Sequence, residues 1–263
     1  MHPPRRDLLF SLIIALLCTG LFFLDLAHIP PAPEGFRCRA LIIDVDNSKV
    51  RTHLIVKTNV QLLQVQLLSG PHKGQSMPVV NMLSDHSHPL QALADVLTMQ
   101  QVHGAVVGLP VAYVGDYNNV SRSLAEALVL LGGSLALGCP LGYHADDAEL
   151  ERLNGLGPGS VTQVHRPAEA VAGAVAVHTD SWTSMGQETE KQQRKVAFEG
   201  FTVDDEMMTH AAAGAGFYHC LPAYRGLEVA AEVIDGPHSH VYAQAHNRLH
   251  AARGALAFLM GVH

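Results

Sequence analysis

Hydrophobic and polar residues follow two different patterns along the chain from residue 84 onward. Apolar residues recur three and four positions apart at Leu90, Leu93, Ala94 and Leu97, which is the spacing of a helix with one buried face. Other stretches are short apolar runs bounded by glycine or proline, which are typical of strands covered on both faces. The predicted helices are 89–101, 118–131, 146–153, 187–198, 203–211 and 248–259, and the predicted strands are 105–114, 134–137, 175–178 and 215–221. This alternation predicts an α/β fold with a wound, mostly parallel sheet.

Two of the predicted strands end at side chains that can carry chemistry. The run 215–221 stops at Pro222 and leaves Cys220 near its carboxyl end, and the run 173–179 leads directly into Asp180. Ligands collect at the carboxyl ends of strands in open α/β sheets, so we expect this thiol and carboxylate to share one crevice. The alternative is that Cys220 is a buried small hydrophobic residue that only fills space.

The N-terminal part of the chain has a different pattern. An almost unbroken apolar run covers residues 8–24, with Arg5 and Arg6 before it and Asp25 after it. A bilayer span needs roughly 17–25 such residues, and the arginines would keep the N-terminus in the cytoplasm and send the rest across. We therefore predict a single membrane anchor, and a cleaved signal peptide or a buried soluble helix stay open as alternatives.

A linker and a small β segment are predicted between this apolar run and the α/β region. Residues 29–35 contain three prolines, which favours an extended linker. Residues 37–45 and 60–68 have strand-like patterns, and Gly70-Pro71 interrupts the chain after the second. The predicted fold is thus a membrane helix, a small β segment and then the parallel sheet.

Composition and charge exclude several classes of function. The net charge of −7 leaves no basic surface for nucleic acid, so we expect no nucleic-acid partner. Two His-Ser-His triplets, at 86–88 and 238–240, suggest a metal site, but no cysteine or histidine pair has zinc-site spacing. The four cysteines do not form a disulfide pattern either. We expect no metal and no cofactor.

Five motifs, in order along the chain, carry a resemblance to a known family. They are HPLQALAD (88–95), GDYNNV (115–120), DSWTSMGQE (180–188), HCLPAYRG (219–226) and HNRLHA (246–251). Residues 79–263 resemble ornithine carbamoyltransferase through these motifs. The resemblance implies transfer of a carbamoyl group from carbamoyl phosphate to the δ-amine of L-ornithine, giving L-citrulline and phosphate, as a cytoplasmic step of arginine biosynthesis. It also implies assembly as a homotrimer.

The resemblance assigns roles to residues on the ornithine side. Asp180 and Cys220 would hold and orient the attacking nitrogen, and a carboxylate next to an ammonium raises the pKa of that ammonium. Proton removal therefore has to be coupled to closure of the site or to a second acceptor. Asn119, Ser184 and Met185 match the positions that bind the amino-acid part of ornithine. From the residues alone, Asn118-Asn119 is equally typical of a helix cap.

The same resemblance assigns the carbamoyl side. His88 would donate to the developing oxyanion, Gln91 would contact the amide, and the two side chains share one helix face at i and i+3. Arg248 would reach the carbamoyl oxygen from the terminal helix, while Cys220 and the backbone carbonyl of Leu221 complete the carbamoyl contacts. His246 stands where the family has an acid, which leaves the local orientation of Arg248 open.

The phosphate side of the family pattern has no counterpart in the sequence. The Ser-x-Arg-Thr-Arg motif is absent, and residues 5–82 instead resemble the extracytoplasmic start of YibE/F-like membrane proteins. The predicted division is 1–35 anchor and linker, 36–78 small β module, 79–100 remnant of the carbamoyl-phosphate domain, 101–245 ornithine-binding domain and 246–263 returning helix. We expect an impaired transferase. A non-catalytic, membrane-anchored amino-acid-binding module and an unstable fusion or assembly product are the alternatives.

Overall fold

A computed structural model describes residues 81–183 and 190–260 and, before them, only the strands 55–56, 63–66 and 76–78. The chain divides into two compact units, one comprising Met1–Val80 with Leu259–His263 and the other Asn81–Phe258. The predicted anchor at 8–24, the linker at 29–35 and the strand-like stretch 37–45 all lie outside the described residues. No helix in the described part of the chain is long and apolar enough to cross a membrane.

The first unit contains a small antiparallel sheet. Its strands are β1 (Ile55–Val56), β2 (Leu63–Gln66) and β3 (Ser76–Pro78), in the order β1-β2-β3. Strand β2 lies within the stretch 60–68 that the alternation of polar and apolar residues indicated. The short lengths of β1 and β3 explain why their sequence signal is weak.

The second unit is a five-stranded parallel sheet with helices on both faces, in the strand order β6-β5-β4-β7-β8. All four neighbouring strand pairs are parallel, so the predicted α/β fold is confirmed. The strands are β4 (Pro110–Val114), β5 (Ser134–Gly138), β6 (Ser160–Val164), β7 (Ala176–Thr179) and β8 (Gly216–His219). The helices are α1 (Pro89–His103), α2 (Asn119–Leu131), α3 (Asp147–Asn154), α4 (Pro167–Val171), α5 (Lys191–Ala197), α6 (Asp205–Thr209), α7 (Ala231–Ile234) and α8 (Val241–Met260).

The core has two layers, one on each face of the sheet. Alternate residues of β4 divide between them, with Tyr113 on one side and Val114 on the other. The Tyr113 side is filled mainly by leucines such as Leu124 and Leu128, whereas the opposite side contains aromatic residues such as Phe198. A sheet buried on both faces explains the unbroken apolar runs in its central strands.

Several elements differ from the sequence prediction: strand β6 and the short helices α4 and α7 were not predicted, the strand predicted at 105–114 begins only at Pro110, and helix α8 begins early. Strand β6 was not predicted, because it is a partly exposed edge strand whose sequence, Ser-Val-Thr-Gln-Val, has one fully buried residue. Helix α8 begins at Val241, seven residues before the predicted start at 248. Its first two turns bury Gln244 and Asn247. Because these buried positions are polar, the start of the helix lacks the apolar spacing from which a helix is predicted.

Candidate active site

The thiol and the carboxylate predicted from the strand ends do meet. Strands β7 and β8 pair in parallel with Thr179 opposite His219, so the residues that follow them, Asp180 and Cys220, leave the sheet side by side. Cys220 Sγ donates to Asp180 Oδ1 at 3.1 Å. The Asp180 side chain is buried, with 7% of the residue exposed. The register of two strands is thus sufficient to bring both groups together.

Asn118 holds the other oxygen of this carboxylate. Its Nδ2 donates to Asp180 Oδ2 at 2.8 Å, while its Oδ1 accepts from the backbone N–H groups of Val120 and Ser121. The cap of helix α2 therefore fixes the amide so that its nitrogen faces Asp180. Sequence reasoning assigned Asn118 only the cap, and nothing in an Asn-Asn pair indicates which amide turns toward the site.

The three residues predicted to bind the amino-acid part of ornithine have different outcomes. Asn119 Nδ2 donates to the backbone carbonyl of Ser84 at 2.7 Å, on the exposed side of the helix start. That bond ties the N-terminus of α2 to the loop that precedes α1. Ser184 and Met185 lie outside the described residues, so their predicted roles stay predictions.

The Cys220 thiol is held in its protonated form. Burial raises its pKa well above the ordinary value, and the neighbouring Asp180 carboxylate raises it further. A neutral thiol is a hydrogen-bond donor, which agrees with the contact from Sγ to Asp180 Oδ1. The pair therefore offers a carboxylate acceptor and a thiol donor at the carboxyl ends of β7 and β8.

A second cluster forms where helices α1 and α8 cross. Arg248 Nη1 donates to Gln91 Oε1 at 2.5 Å and lies 3.4 Å from His88 Nε2. His88 precedes the first turn of α1, and Pro89 occupies the start of that helix as predicted. The structure thus brings together His88, Gln91 and Arg248, which the sequence resemblance had assigned to one ligand group.

The hydrogen bonds of His88 indicate which of its ring nitrogens carries the proton. Its Nδ1 lies 2.9 Å from the carbonyl oxygen of Met82, which can only accept, so the proton is on Nδ1 and Nε2 presents a lone pair. Burial, followed by the charge of Arg248, lowers the pKa of His88 to about 4. In this neutral tautomer Nε2 is an acceptor, whereas the predicted oxyanion donor needs a proton on Nε2.

The two clusters act on each other electrostatically. The positive charge of Arg248 lowers the pKa of Cys220, against the larger effects of burial and Asp180, and the negative charge of Asp180 raises the pKa of His88.

Leu221 follows Cys220 with φ of 58°, a left-handed conformation that costs a non-glycine residue about 1–2 kcal/mol. Its backbone N–H is held by His219 Nδ1 at 2.9 Å.

Within the described residues, one group has the composition of a metal site. Possible ligand atoms of Asp180, His219 and Cys220 lie within 4.8 Å of one another. Each side chain already has a protein partner, since Cys220 donates to Asp180 and His219 Nδ1 accepts from Leu221. These hydrogen bonds account for the close approach of the carboxylate and the thiol.

A buried ion pair next to the crevice was missed by sequence reasoning. Arg194 Nη1 donates to Asp116 Oδ2 at 2.6 Å and to the carbonyl of Trp182 at 3.1 Å. The helix that carries Arg194 therefore has a buried charged residue, since Arg194 is only 6% exposed. The pair joins the end of β4 to the segment that follows β7, close to Asp180.

Comparison with known proteins identifies the family. The model of the aspartate/ornithine carbamoyltransferase Asp/Orn binding domain matches residues 107–259, more than half of the chain. The chain belongs to the aspartate/ornithine carbamoyltransferase family. The carbamoyl-P binding domain of the same family matches residues 48–101.

Individual carbamoyltransferases agree in sequence and structure. An ornithine carbamoyltransferase of Parasynechococcus marenigrum is 46% identical over 188 residues, which are 71% of this chain and 59% of the relative. The structure of ornithine carbamoyltransferase from Pyrococcus furiosus superposes with a TM-score of 0.66 at 44% identity, over 70% of this chain and 60% of that one. The Thermus thermophilus structure gives 0.63 at 43%. The chain thus spans about three-fifths of the length of these relatives.

The carbamoyltransferase match also changes the predicted boundary. The resemblance was expected to begin near residue 79, but the carbamoyl-P domain matches from residue 48, so part of the segment predicted as a separate β module belongs to this family. The comparisons give no support to a YibE/F-like origin of residues 5–82. The lysines and the arginine between residues 48 and 82, namely Lys49, Arg51, Lys57 and Lys73, lie outside the described residues.

Proposed function

We propose that this chain binds L-ornithine beside the hydrogen-bonded pair of Asp180 and Cys220, and that it transfers a carbamoyl group from carbamoyl phosphate inefficiently. The observation that carries the proposal is the hydrogen bond from Cys220 Sγ to Asp180 Oδ1, in electrostatic reach of Arg248. The reaction gives L-citrulline and phosphate, as in arginine biosynthesis. The family comparison supports the reaction class, and the geometry supports the ornithine half of the site.

The ornithine side suits a terminal amine. Asp180 is an acceptor with one oxygen facing the Asn118 amide and the other facing the Cys220 thiol. An ornithine ammonium can donate to this carboxylate, whose charge also raises the pKa of the ammonium. The amine must lose a proton before it attacks, and the crevice has to pass that proton to an acceptor. Asn119, Ser184 and Met185 would bind the amino-acid end, as the family resemblance implies.

The carbamoyl side suits a planar amide. Arg248 donates toward the developing oxyanion, and His88 Nε2, as a lone pair, can accept from the carbamoyl –NH2. Gln91 accepts a hydrogen bond from Arg248 and so helps to orient the guanidinium. The Leu221 carbonyl is a further acceptor for the same –NH2. The hydrogen bonds of His88 and Arg248 support this division of donor and acceptor roles.

The inefficiency follows from the leaving group. The sequence has no Ser-x-Arg-Thr-Arg motif, so we expect the chain to lack the bidentate arginine contacts that such a loop gives to a phosphate. Each lost donor to a developing anion lowers the rate by about 100- to 1,000-fold. A chain that retains the ornithine contacts without this loop should bind the amino acid and release little citrulline.

Calorimetric titration and a citrulline assay test the two halves of the proposal separately. L-Ornithine should bind the full-length chain, whereas L-norvaline, which lacks the δ-amine, should bind at least about tenfold more weakly because it cannot donate to Asp180. Citrulline formation should stay far below that of the Pyrococcus furiosus relative. Equal affinity for the two amino acids contradicts the ornithine site, and turnover equal to that of the relative contradicts the impairment.

Binding without transfer is the second candidate. It is favoured by the apolar run at residues 8–24 together with the absent phosphate motif, which fit a membrane-anchored amino-acid-binding module. Membrane fractionation of cells that express the full chain, followed by extraction at high pH, distinguishes an inserted anchor from a soluble protein. Retention in the membrane with ornithine binding but no citrulline supports this second candidate.

A further inference from the structure

A buried chain of hydrogen bonds links the two sides of the candidate site. It runs from Arg248 to Gln91, from Gln91 to Asp95, and from Asp95 through Gln244 to the backbone of His219, the residue before Cys220. Gln91, Asp95 and Gln244 are each no more than 1% exposed. Side chains from α1 and α8 therefore connect the carbamoyl contacts to the end of strand β8.

Asp95 is the centre of this chain. Its Oδ1 accepts from Gln91 Nε2 at 2.6 Å and from Gln244 Nε2 at 2.7 Å. A carboxylate only accepts, so both amide nitrogens must point toward it. Both amide oxygens must then point away, and that orientation places Gln91 Oε1 against Arg248.

Only one of the two orientations of the Gln244 amide satisfies its hydrogen-bond partners. Its nitrogen donates to Asp95 and lies 3.1 Å from His178 Nε2, and its oxygen accepts from the backbone N–H of His219 at 2.9 Å. Turning the amide over would set an oxygen against the carboxylate and an –NH2 group against the N–H of His219. Its present orientation therefore ties the Tyr218–His219 peptide, at the end of β8, to α8.

We propose that Asp95 and Gln244 are positioning residues that hold Arg248 and the end of strand β8, next to Cys220, in one fixed arrangement. Asp95 does so by fixing the orientation of both glutamine amides, and neither residue touches the reacting atoms. This inference rests on the proposed function for its catalytic meaning, but the orientation of the amides can be measured without ornithine.

A neighbouring bond provides a matched control. One turn along α1, Thr98 accepts from Asn247 Nδ2 of α8 at 2.8 Å, and both residues are buried. Thr98→Val removes a buried hydrogen bond between the same two helices and leaves the chain from Arg248 to His219 intact. A purely structural role for Asp95 would make Asp95→Ala and Thr98→Val behave alike.

The first measurement is hydrogen–deuterium exchange of the His219 amide, resolved to the residue by fragmentation of its peptide. Asp95→Ala in the full chain should accelerate this exchange about tenfold, the loss expected for one well-made hydrogen bond. Asp95→Asn keeps an oxygen that can accept from both glutamines, so it should stay within about threefold of wild type. Thr98→Val should leave His219 unchanged while lowering the melting temperature.

The second measurement is the affinity for ornithine by calorimetry on the same proteins. Asp95→Ala should weaken binding about tenfold, while Asp95→Asn and Thr98→Val should change it by less than about threefold. Three results overturn the proposal: Asp95→Ala matches Thr98→Val, Asp95→Asn is as impaired as Asp95→Ala, or His219 exchanges faster with no change in affinity. If wild type does not bind ornithine, the proposed function fails and the exchange result alone decides the positioning role.

A second variant keeps the test decisive if Asp95→Ala does not fold. Gln244→Glu preserves the acceptor for His219 but sets an oxygen against Asp95, so the two carboxylates must share a proton or repel each other. The protection of His219, corrected for intrinsic exchange, should fall about tenfold between pH 5 and pH 8 in this variant. Wild-type protection should not fall over this range. Protection in Gln244→Glu that is independent of pH contradicts the arrangement.

Discussion

The two halves of the candidate site are built in different ways. Asp180 and Cys220 follow adjacent strands of one sheet, and the pairing of Thr179 with His219 alone brings them together. His88 and Arg248 come from two helices 160 residues apart in sequence, and buried polar bonds hold those helices in register. A backbone ladder resists the loss of one side chain, whereas a crossing held by side chains does not. We therefore expect the carbamoyl half to be the more sensitive half.

The largest effect is expected from Arg248→Met. Loss of the only guanidinium that contacts His88 and Gln91 in the described part of the chain should lower citrulline formation about 100- to 1,000-fold, because a donor to the oxyanion is removed. Affinity for ornithine should change by less than about threefold. Steady-state assay and calorimetry on the same preparation measure the two quantities.

Arg253→Met is the matched control, since Arg253 is exposed on the same helix. Arg253→Met should leave citrulline formation and ornithine affinity unchanged. A parallel loss of ornithine affinity in Arg248→Met would show that the two halves are not separable.

A pH-dependent loss of stability is expected next. The pKa of His88 is lowered from 6.5 to about 4 in the folded chain, so between these values the unfolded chain binds more protons. Stability therefore rises with pH across this window, is fully present above pH 6.5, and is lost as the pH falls toward 4, by about 3 kcal/mol. Denaturant unfolding followed by the fluorescence of Trp182, the single tryptophan, measures it.

His88→Gln should remove most of this dependence, and His250→Gln, on the exposed side of α8, should not. An unchanged pH profile in His88→Gln would assign the acid sensitivity to another group.

Removing the charge on the strand side should have a smaller effect. Asp180→Asn replaces a carboxylate that accepts from Cys220 by an amide, which should weaken ornithine binding by about 2 kcal/mol, the value of a hydrogen bond to a charged group. Calorimetry gives the affinity directly. The exposed Asp147, changed to Asn, serves as control. Ornithine affinity that survives in Asp180→Asn would move the amine site away from these strands.

The smallest effect is expected from Cys220→Ser. A serine hydroxyl can donate to Asp180 as the thiol does, so ornithine affinity should change by less than about 1 kcal/mol. Cys220→Ala, which lacks a donor, should be the more damaging variant in the same titration. Equal effects of serine and alanine would mean that the donor has no role.

The sequence predicted a feature best where all the residues that produce the feature lie in one short segment of the chain. The strand ends at Asp180 and Cys220 could be predicted from short apolar runs, because burial on both faces leaves that pattern. The buried Gln244 and Arg194 could not, because polar residues without a local apolar pattern resemble a solvent-facing helix. The same applies to Asn118, whose contact with Asp180 joins two segments 62 residues apart. A contact between residues this far apart in the sequence produces no pattern in the local spacing of residue types.

The contribution of the δ-amine to affinity tests the central claim most directly. Calorimetry on wild type and on Asp180→Asn, each titrated with L-ornithine and with L-norvaline, measures that contribution in the full chain. If the amine of ornithine lies against the Asp180 carboxylate that accepts from Cys220, wild type should prefer ornithine by at least about tenfold, and Asp180→Asn should lose most of that preference. An equal preference in the two proteins would contradict the account.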